Sequence, residues 1–206
     1  GNTTLKALNK FRATEEPYSG MTEDSSAGNG SIMRLAPIPM YYSNNPEDAL
    51  KYASLSSKTT HANEMCVDAC RYMAGIIVGL LNDESKETVL SSMYSPVNNY
   101  FDNEPLCDEI KEVASGSFKT KQPPEIKGTG FVVKSLEAAL WAFYNADNFR
   151  EGALKVVNLG DDADTTGAVY GQIAGSFYNI PQDWIDIITM KNKIMDITHK
   201  LISVLK

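Results

Sequence analysis

The chain has 206 residues, 43% hydrophobic and 22% charged, the proportions of one globular domain long enough to bury a substantial core. A formal net charge of −7 gives no basic footprint for nucleic acid or an anionic membrane, and the longest apolar stretch, Met73 to Leu81, is too short to span a bilayer. Three cysteines, an odd number, argue against a disulfide framework and for a reduced interior, so the composition reads as that of a cytoplasmic protein.

Apolar spacing predicts helix nearly throughout. "TTLKALNKF" sets Leu5, Leu8 and Phe11 at helical steps behind threonine caps. The chain opens at Gly1, without methionine and already in a helical pattern, as expected of a processed, cleaved or truncated product. "EEPYSGMTEDSSAGNGS" is a loop by its glycines, serines and acids. The apolar run "IMRLAPIPMYY" is interrupted by Pro37 and Pro39. "NPEDALKYASLSS" reads as a helix capped by Asn45, with Pro46 in its first turn. "HANEMCVDACRYMAGIIVGLLND" carries Met65, Ala69, Tyr72, Ile76 and Leu80 at three- and four-residue steps, a long buried helix opened by His61. Shorter helices are expected around Lys86 to Met93 and Pro105 to Ala114. After the loop "KTKQPPEIKGTG" come the helices "FVVKSLEAALWAFYN" and "NFREGALKVVN". Val132-Val133 and Val156-Val157 lie inside those patterns and earn no strand. "QDWIDIITM" and the amphipathic "KIMDITHKLISVLK" close the chain, and the fold class is all-α.

The densest chemistry lies in "NLGDDADTTGAVYGQIAG". Gly167, Gly171, Ala174 and Gly175 form one helical stripe, and a glycine in a helix interior costs roughly 1 kcal/mol against alanine, so tight packing is expected along it. Ahead of it, Asp162, Asp164 and Thr165 occupy the first turn, where N–H groups are free. Capping explains one or two acidic residues there. The alternative is a metal turn: alternate carboxylates and a neighbouring hydroxyl are hard oxygen donors suited to Mg²⁺, Mn²⁺ or Ca²⁺. The residue types alone leave both readings open. "AGNGS" similarly reads either as an ordinary turn or as a nest of N–H groups, with Gly28 and Gly30 permitting close approach of a phosphate. Cys66 and Cys70, four residues apart near His61 and Glu64, fall short of the four ligands of a structural zinc site and read as buried thiols. His199 reads as a surface residue.

These segments, in order, resemble the ADP-ribosylglycohydrolases. "NLGDDADTTGAVYGQIAG" looks like that family's C-terminal metal motif and "SAGNGSIMRLAP" like its central glycine-rich motif. "GNTT", "TTH" and "GTGFVVKSLEAALWAF" also match in order, nearest to the branch containing the dinitrogenase reductase-activating glycohydrolase. The resemblance covers essentially the whole chain. It implies a compact all-α fold around two divalent cations, Mg²⁺ or Mn²⁺, binding ADP-ribose. It maps three metal ligands to Asp162, Asp164 and Thr165, and leaves out Asp161, which matches a position that is often glycine. It places Asn29, Gly30 and Ser31 against the diphosphate and ribose, Glu23 as a substrate-contacting carboxylate, and Asn2 beside the reactive ribose. His61 is implied to line the cleft. Phe131 stands where an aromatic, often tyrosine, covers the ligand.

The family's first metal motif, a Gly-Asp turn and a catalytic carboxylate lie upstream of the "GNTT" match. Residues 1–206 are therefore expected to be the C-terminal two-thirds of one family domain, lacking its N-terminal third. The implied function is hydrolysis of ADP-ribose from modified proteins, ADP-ribosyl-arginine above all. An upstream fragment of the same polypeptide would supply the missing ligands, and the chain alone is expected to bind metal weakly and turn over poorly. The alternatives are an ADP-ribose-binding protein without hydrolysis, an inactive fragment, and a structural protein in which the acidic turn only caps.

Overall fold

The computed structural model describes residues 1–204. Helix α1 (Asn2–Thr14) leads through 3₁₀ turns at Asp24–Ser26 and Ile32–Arg34 to α2 (Pro37–Tyr41), α3 (Pro46–Lys58) and α4 (Glu64–Leu81). Four short helices follow: α5 (Lys86–Val89), α6 (Tyr100–Asn103), α7 (Asp108–Ala114) and α8 (Ser117–Thr120). Then come α9 (Val132–Tyr144), α10 (Phe149–Val157), α11 (Ala163–Gly175), α12 (Gln182–Ile187) and α13 (Lys191–Ser203). Extended pairing among the described residues is confined to two isolated bridges, Met21 with His61 and Gly28 with Phe131. The all-α expectation holds, and both valine pairs lie in helices.

The core is built around α4, in which every residue from Met65 to Leu80 is buried. A helix apolar on all sides can only be an interior one, and α3, α9 and α7 pack around it. Its two buried charges survive because they pair: Arg71 meets Asp68 at 2.6 Å and also donates to the carbonyls of Glu104 and Pro105. Buried Glu137 on α9 is matched in the same way by Ser117, Lys121 and Lys134.

Local signals fared well where side chains cap the backbone. Asn45 Oδ1 accepts the Asp48 N–H at the head of α3, with Pro46 in the first turn as expected. Elsewhere tertiary contacts moved the boundaries. The helix expected to reach Met93 stops at Val89, because Met93 adopts φ 55° and spends its N–H on Ala114. The helix expected from Pro105 begins at Asp108, because the Pro105 carbonyl serves Arg71 and the Cys107 N–H serves Asp68. His61 does not open α4, which starts at Glu64 behind the Asn63 cap.

Two amphipathic helices leave apolar faces outward. In α1 the N-cap is Gly1, without a side-chain cap, and Leu5, Leu8 and Phe11 are exposed while Ala7 alone is buried. In α13 no residue is buried. The small-residue stripe of α11 packs closely at Gly167, where a β-carbon would meet Val157 Cγ1 at 3.2 Å, and Ala174 is buried. Gly171 has nothing within 4 Å, so the expected tight packing does not extend along the stripe. The buried face of α11 is instead Thr166, Val169, Tyr170, Ile173 and Ala174, packed on α9 and α10.

Candidate functional site

That packing aims the N-terminus of α11 at two glycine-containing loops. The Asn29 N–H donates to Gly130 O at 2.9 Å and the Val132 N–H to Ala27 O at 3.0 Å, pairing "AGN" with "GFV". The Asp162 N–H donates to Gly128 O at 2.7 Å. Three motifs distant in sequence thus share one backbone framework. Gly160 and Asp161, both in the left-handed region at φ 76° and 53°, make the turn that brings α11 into place. Glycine tolerates that region best, so Asp161 stands where glycine would be unstrained.

Asp162 occupies the N-cap position of α11, yet its side chain accepts no helix N–H. Its Oδ2 accepts from Asn29 Nδ2 at 2.7 Å, and its Oδ1 from the Thr165 hydroxyl at 3.0 Å. Asn29 is buried and also lies within 3.4 Å of Thr129 O and 3.3 Å of Ser135 Oγ. The capping reading therefore does not describe Asp162; its carboxylate is oriented from both sides and left facing other partners. Asp164, in the first turn, is exposed and makes no side-chain hydrogen bond among the described residues. Thr165 gives its proton to Asp162, which leaves the hydroxyl lone pairs available as acceptors.

Beside this turn opens a cleft of about 520 Å³, lined by Asn2, Asn29, Gly30, Arg34, His61, Asp162 and Thr165, with Gly1, Thr3, Thr4, Gly28 and Met33 completing the wall. Concavities of similar volume occur elsewhere, one of about 550 Å³ between Lys51 and Glu104, so chemistry rather than size singles this one out. The N–H groups of Gly28 and Asn29 are committed to Ser26 O and Gly130 O. Those of Gly30 and Ser31 have no acceptor among the described residues, so the phosphate-sized nest suggested by "AGNGS" narrows to these two.

His61 forms the floor beneath the nest. It is 3% exposed, and a β-carbon on Gly30 would meet its Cε1 at 2.8 Å and Nε2 at 3.0 Å. Glycine at position 30 is thus required by the close approach of the imidazole. Burial, helped by the Arg34 charge, lowers the His61 pKa to about 4, so the ring is neutral at pH 7. Below it, Cys66 donates its thiol to Gly28 O at 3.4 Å, and burial pushes that thiol up to about 12. Cys66 is part of the packing here and not a reactive group.

Six of the ten residues singled out in sequence line this cleft: Asn2, Asn29, Gly30, His61, Asp162 and Thr165. Asp164 stands at the acidic turn but outside the lining. Glu23 is exposed at the N-cap of the first 3₁₀ turn and does not reach the wall. Phe131 caps α9 half-exposed, its backbone bridged to Gly28 and its ring outside the lining. Ser31 is buried, and its hydroxyl has no hydrogen-bond partner. Sequence reading missed Arg34 and Thr60. Arg34 Nη1 donates to Ser56 Oγ, while Nη2 donates to Ser56 O, Thr59 Oγ1 and Thr60 Oγ1. No local pattern marks an arginine in "SIMRLAP" as a cleft residue; only the fold brings it to the end of α3.

Among the described residues no group of three or more His, Cys, Asp or Glu stands close enough to hold a metal ion. Asp162, Asp164 and Thr165 are all hard oxygen donors, and in kind they fit Mg²⁺ or Mn²⁺. In number they fall short of an octahedral shell.

Known proteins carry the same arrangement of sequence and fold. A family model described as ADP-ribosylglycohydrolase matches residues 1–206, and the chain belongs to the ADP-ribosylglycohydrolase family. It is 33% identical over 204 residues to the ADP-ribosylarginine hydrolase Tri1 of Serratia proteamaculans, covering 98% of this chain and 53% of that protein. It is 24% identical over 197 residues to the ADP-ribosyl-[dinitrogen reductase] glycohydrolase of Rhodospirillum rubrum, covering 93% of this chain and 60% of the relative. A solved chain described as an ADP-ribosylglycohydrolase-related protein complex superposes with a TM-score of 0.87 at 34% identity, covering all of this chain and 70% of its own. The chain thus spans about half the length of the curated relatives it matches first.

Proposed function

We propose that this chain forms part of a hydrolase that releases ADP-ribose from modified protein side chains, ADP-ribosyl-arginine first among them. The observation that carries the reading is the Asp162 carboxylate. It heads a helix without capping it, is gripped by Asn29 and Thr165, and borders a cleft in whose wall the Gly30 N–H has no acceptor among the described residues. Asp162, Asp164 and Thr165 would hold part of a pair of Mg²⁺ or Mn²⁺ ions. Such ions supply positive charge and orientation for a ribose and an attacking water. The chain's own residues bind and orient: the Gly30 turn receives the diphosphate, with Asn2 and His61 bordering the sugar, while Glu23, Ser31 and Phe131 stand outside the cleft wall and take no part in this reading.

Three donors fall short of a complete cation shell, which supports reading them as part of a dinuclear site that needs further ligands and a catalytic carboxylate. The same count favours a second reading for the chain by itself, an ADP-ribose binder without hydrolysis. One experiment separates the two: ADP-ribose release from ADP-ribosyl-arginine with Mn²⁺ or Mg²⁺, alongside ADP-ribose binding by calorimetry. Measurable binding with slow release is expected from the 206-residue chain. Release by the chain alone that is fast and insensitive to Asp162→Ala would remove the half-site reading, and absence of any ADP-ribose binding would remove both.

A further inference from the structure

The turn before α4 carries an arrangement that the hydrolase reading does not use. Arg34 Nη2 donates to Thr60 Oγ1 at 3.0 Å, and Thr60 Oγ1 lies 2.8 Å from His61 Nδ1. A guanidinium has donors and no acceptor, so toward Arg34 the Thr60 oxygen can only accept. The hydroxyl has one proton to give. Among the described residues its remaining partner is His61 Nδ1. Were Nδ1 protonated instead, the Thr60 oxygen would face two donors and leave its own proton without a partner in the chain. The Arg34 charge also turns the O–H dipole away from itself, which sends the proton toward the ring.

Nδ1 is then an acceptor, and the single proton of the neutral imidazole sits on Nε2. That nitrogen makes no hydrogen bond among the described residues, while His61 belongs to the cleft wall. It lies 3.0 Å from where a β-carbon of Gly30 would stand and 3.7 Å from that of Gly28. The turn itself is pinned: the His61 N–H donates to Ser57 O at 2.7 Å, and the Ser57 hydroxyl to His61 O at 2.7 Å. These bonds fix the backbone, and the ring itself is held by burial and by its contact with Thr60.

We propose that Arg34 and Thr60 are positioning residues that lock His61 in its Nε2–H tautomer, presenting one neutral donor beneath Gly28–Gly30 to an acceptor oxygen of the bound nucleotide sugar. The ligand named here rests on the ADP-ribose reading above; the tautomer does not. A neutral donor holds an acceptor oxygen without adding a fixed positive charge beside the metal turn. It also explains why a histidine is held from behind by an arginine, an otherwise unfavourable neighbour for a titratable base.

The chain has two histidines, and His199 is exposed on α13, so nitrogen-15 correlation spectra of the imidazoles are directly assignable. At pH 7 the unliganded chain should give His61 a protonated Nε2 and an unprotonated Nδ1, with His199 as internal reference. Thr60→Val should mix the tautomers and weaken ADP-ribose binding about tenfold, the loss of one positioned hydrogen bond. Thr60→Ser should restore both. Saturating ADP-ribose should shift the wild-type Nε2 resonance. A proton on Nδ1, or on both nitrogens, in the wild-type chain overturns the relay. An unmoved Nε2 resonance under saturating ADP-ribose overturns the donor role. If the chain binds no ADP-ribose, the hydrolase reading falls, while the unliganded spectrum still decides the relay.

Discussion

Asn29 and Asp162 lie 133 positions apart in the chain, yet the amide of one donates to the carboxylate of the other at 2.7 Å. This contact joins the glycine-rich loop to the head of α11, and it is the shortest of the three that Asn29 Nδ2 makes. A carboxylate gripped by Asn29 and Thr165 is oriented before any ligand arrives. Preorganisation of that kind typically separates a tight oxygen site from a loose one.

Removing the grip should therefore loosen cation binding more than it loosens the fold. Asn29→Ala is expected to reduce Mn²⁺ affinity about 10–100-fold, the usual cost of losing a partner that orients a ligand. Electron paramagnetic resonance of free Mn²⁺ during titration reads the change. An affinity equal to wild type would mean that Asp162 is oriented by Thr165 alone.

Gly30→Ala places a β-carbon 2.8 Å from the His61 ring, closer than side chains tolerate. The imidazole is buried and tied to Thr60 through Nδ1, so it cannot yield cheaply. We expect a loss of about 1–3 kcal/mol in stability by urea unfolding, the range for overpacking a filled site. A weaker ADP-ribose interaction by calorimetry should accompany it. A variant as stable as wild type would show that the loop, not the ring, gives way.

Acid should act through His61. Its folded pKa of about 4 lies below the ordinary 6.5, so the unfolded chain takes up the proton first as pH falls. The stabilisation is complete above pH 6.5 and is lost between 6.5 and 4, by up to about 3 kcal/mol for a shift of this size. Carboxylates titrate over the lower part of that window in any variant, so the test is a difference: His61→Gln should flatten the pH dependence of unfolding between 6.5 and 5. Parallel profiles for the two proteins would count against a neutral, buried His61.

Asp161 sits in the left-handed region at φ 53°, next to Gly160 at 76°. Asp161→Gly should leave stability unchanged or raise it by up to about 1 kcal/mol, whereas Asp161→Val should cost about 1–2 kcal/mol. Thermal unfolding of the pair gives the comparison. Mn²⁺ binding by the glycine variant should match wild type, since Asp161 is not among the donors we propose.

The helices that announced themselves in sequence are those whose stability comes from near neighbours in the chain. Asn45 and Pro46 start α3 by local capping, and the apolar run from Met65 to Leu80 makes an interior helix wherever it is placed. The one-turn helices α6 and α8 left no legible signal, because four residues carry less than a full period of any pattern. Two stretches also stood out by residue type: "AGNGS" as an ordinary turn or an anion nest, and "GDDADTT" as helix caps or hard-cation donors.

Which of those residues meet was settled by tertiary contact alone. By residue type Asp162 could be a helix cap or a cation donor, and it is the contacts with Asn29 and Thr165 that leave its carboxylate without a helix N–H. Arg34 and Thr60 lie inside matching stretches, yet nothing local gives them a role, since their significance is a chain of donors and acceptors closed by the packing of α3 and α4 behind the glycine loop. Residue types and spacing, which depend on neighbours a few positions away, determined the helices and the chemistry this protein has to offer. The direction of each polar side chain depends on partners tens to more than a hundred positions distant, and so belongs to the folded structure.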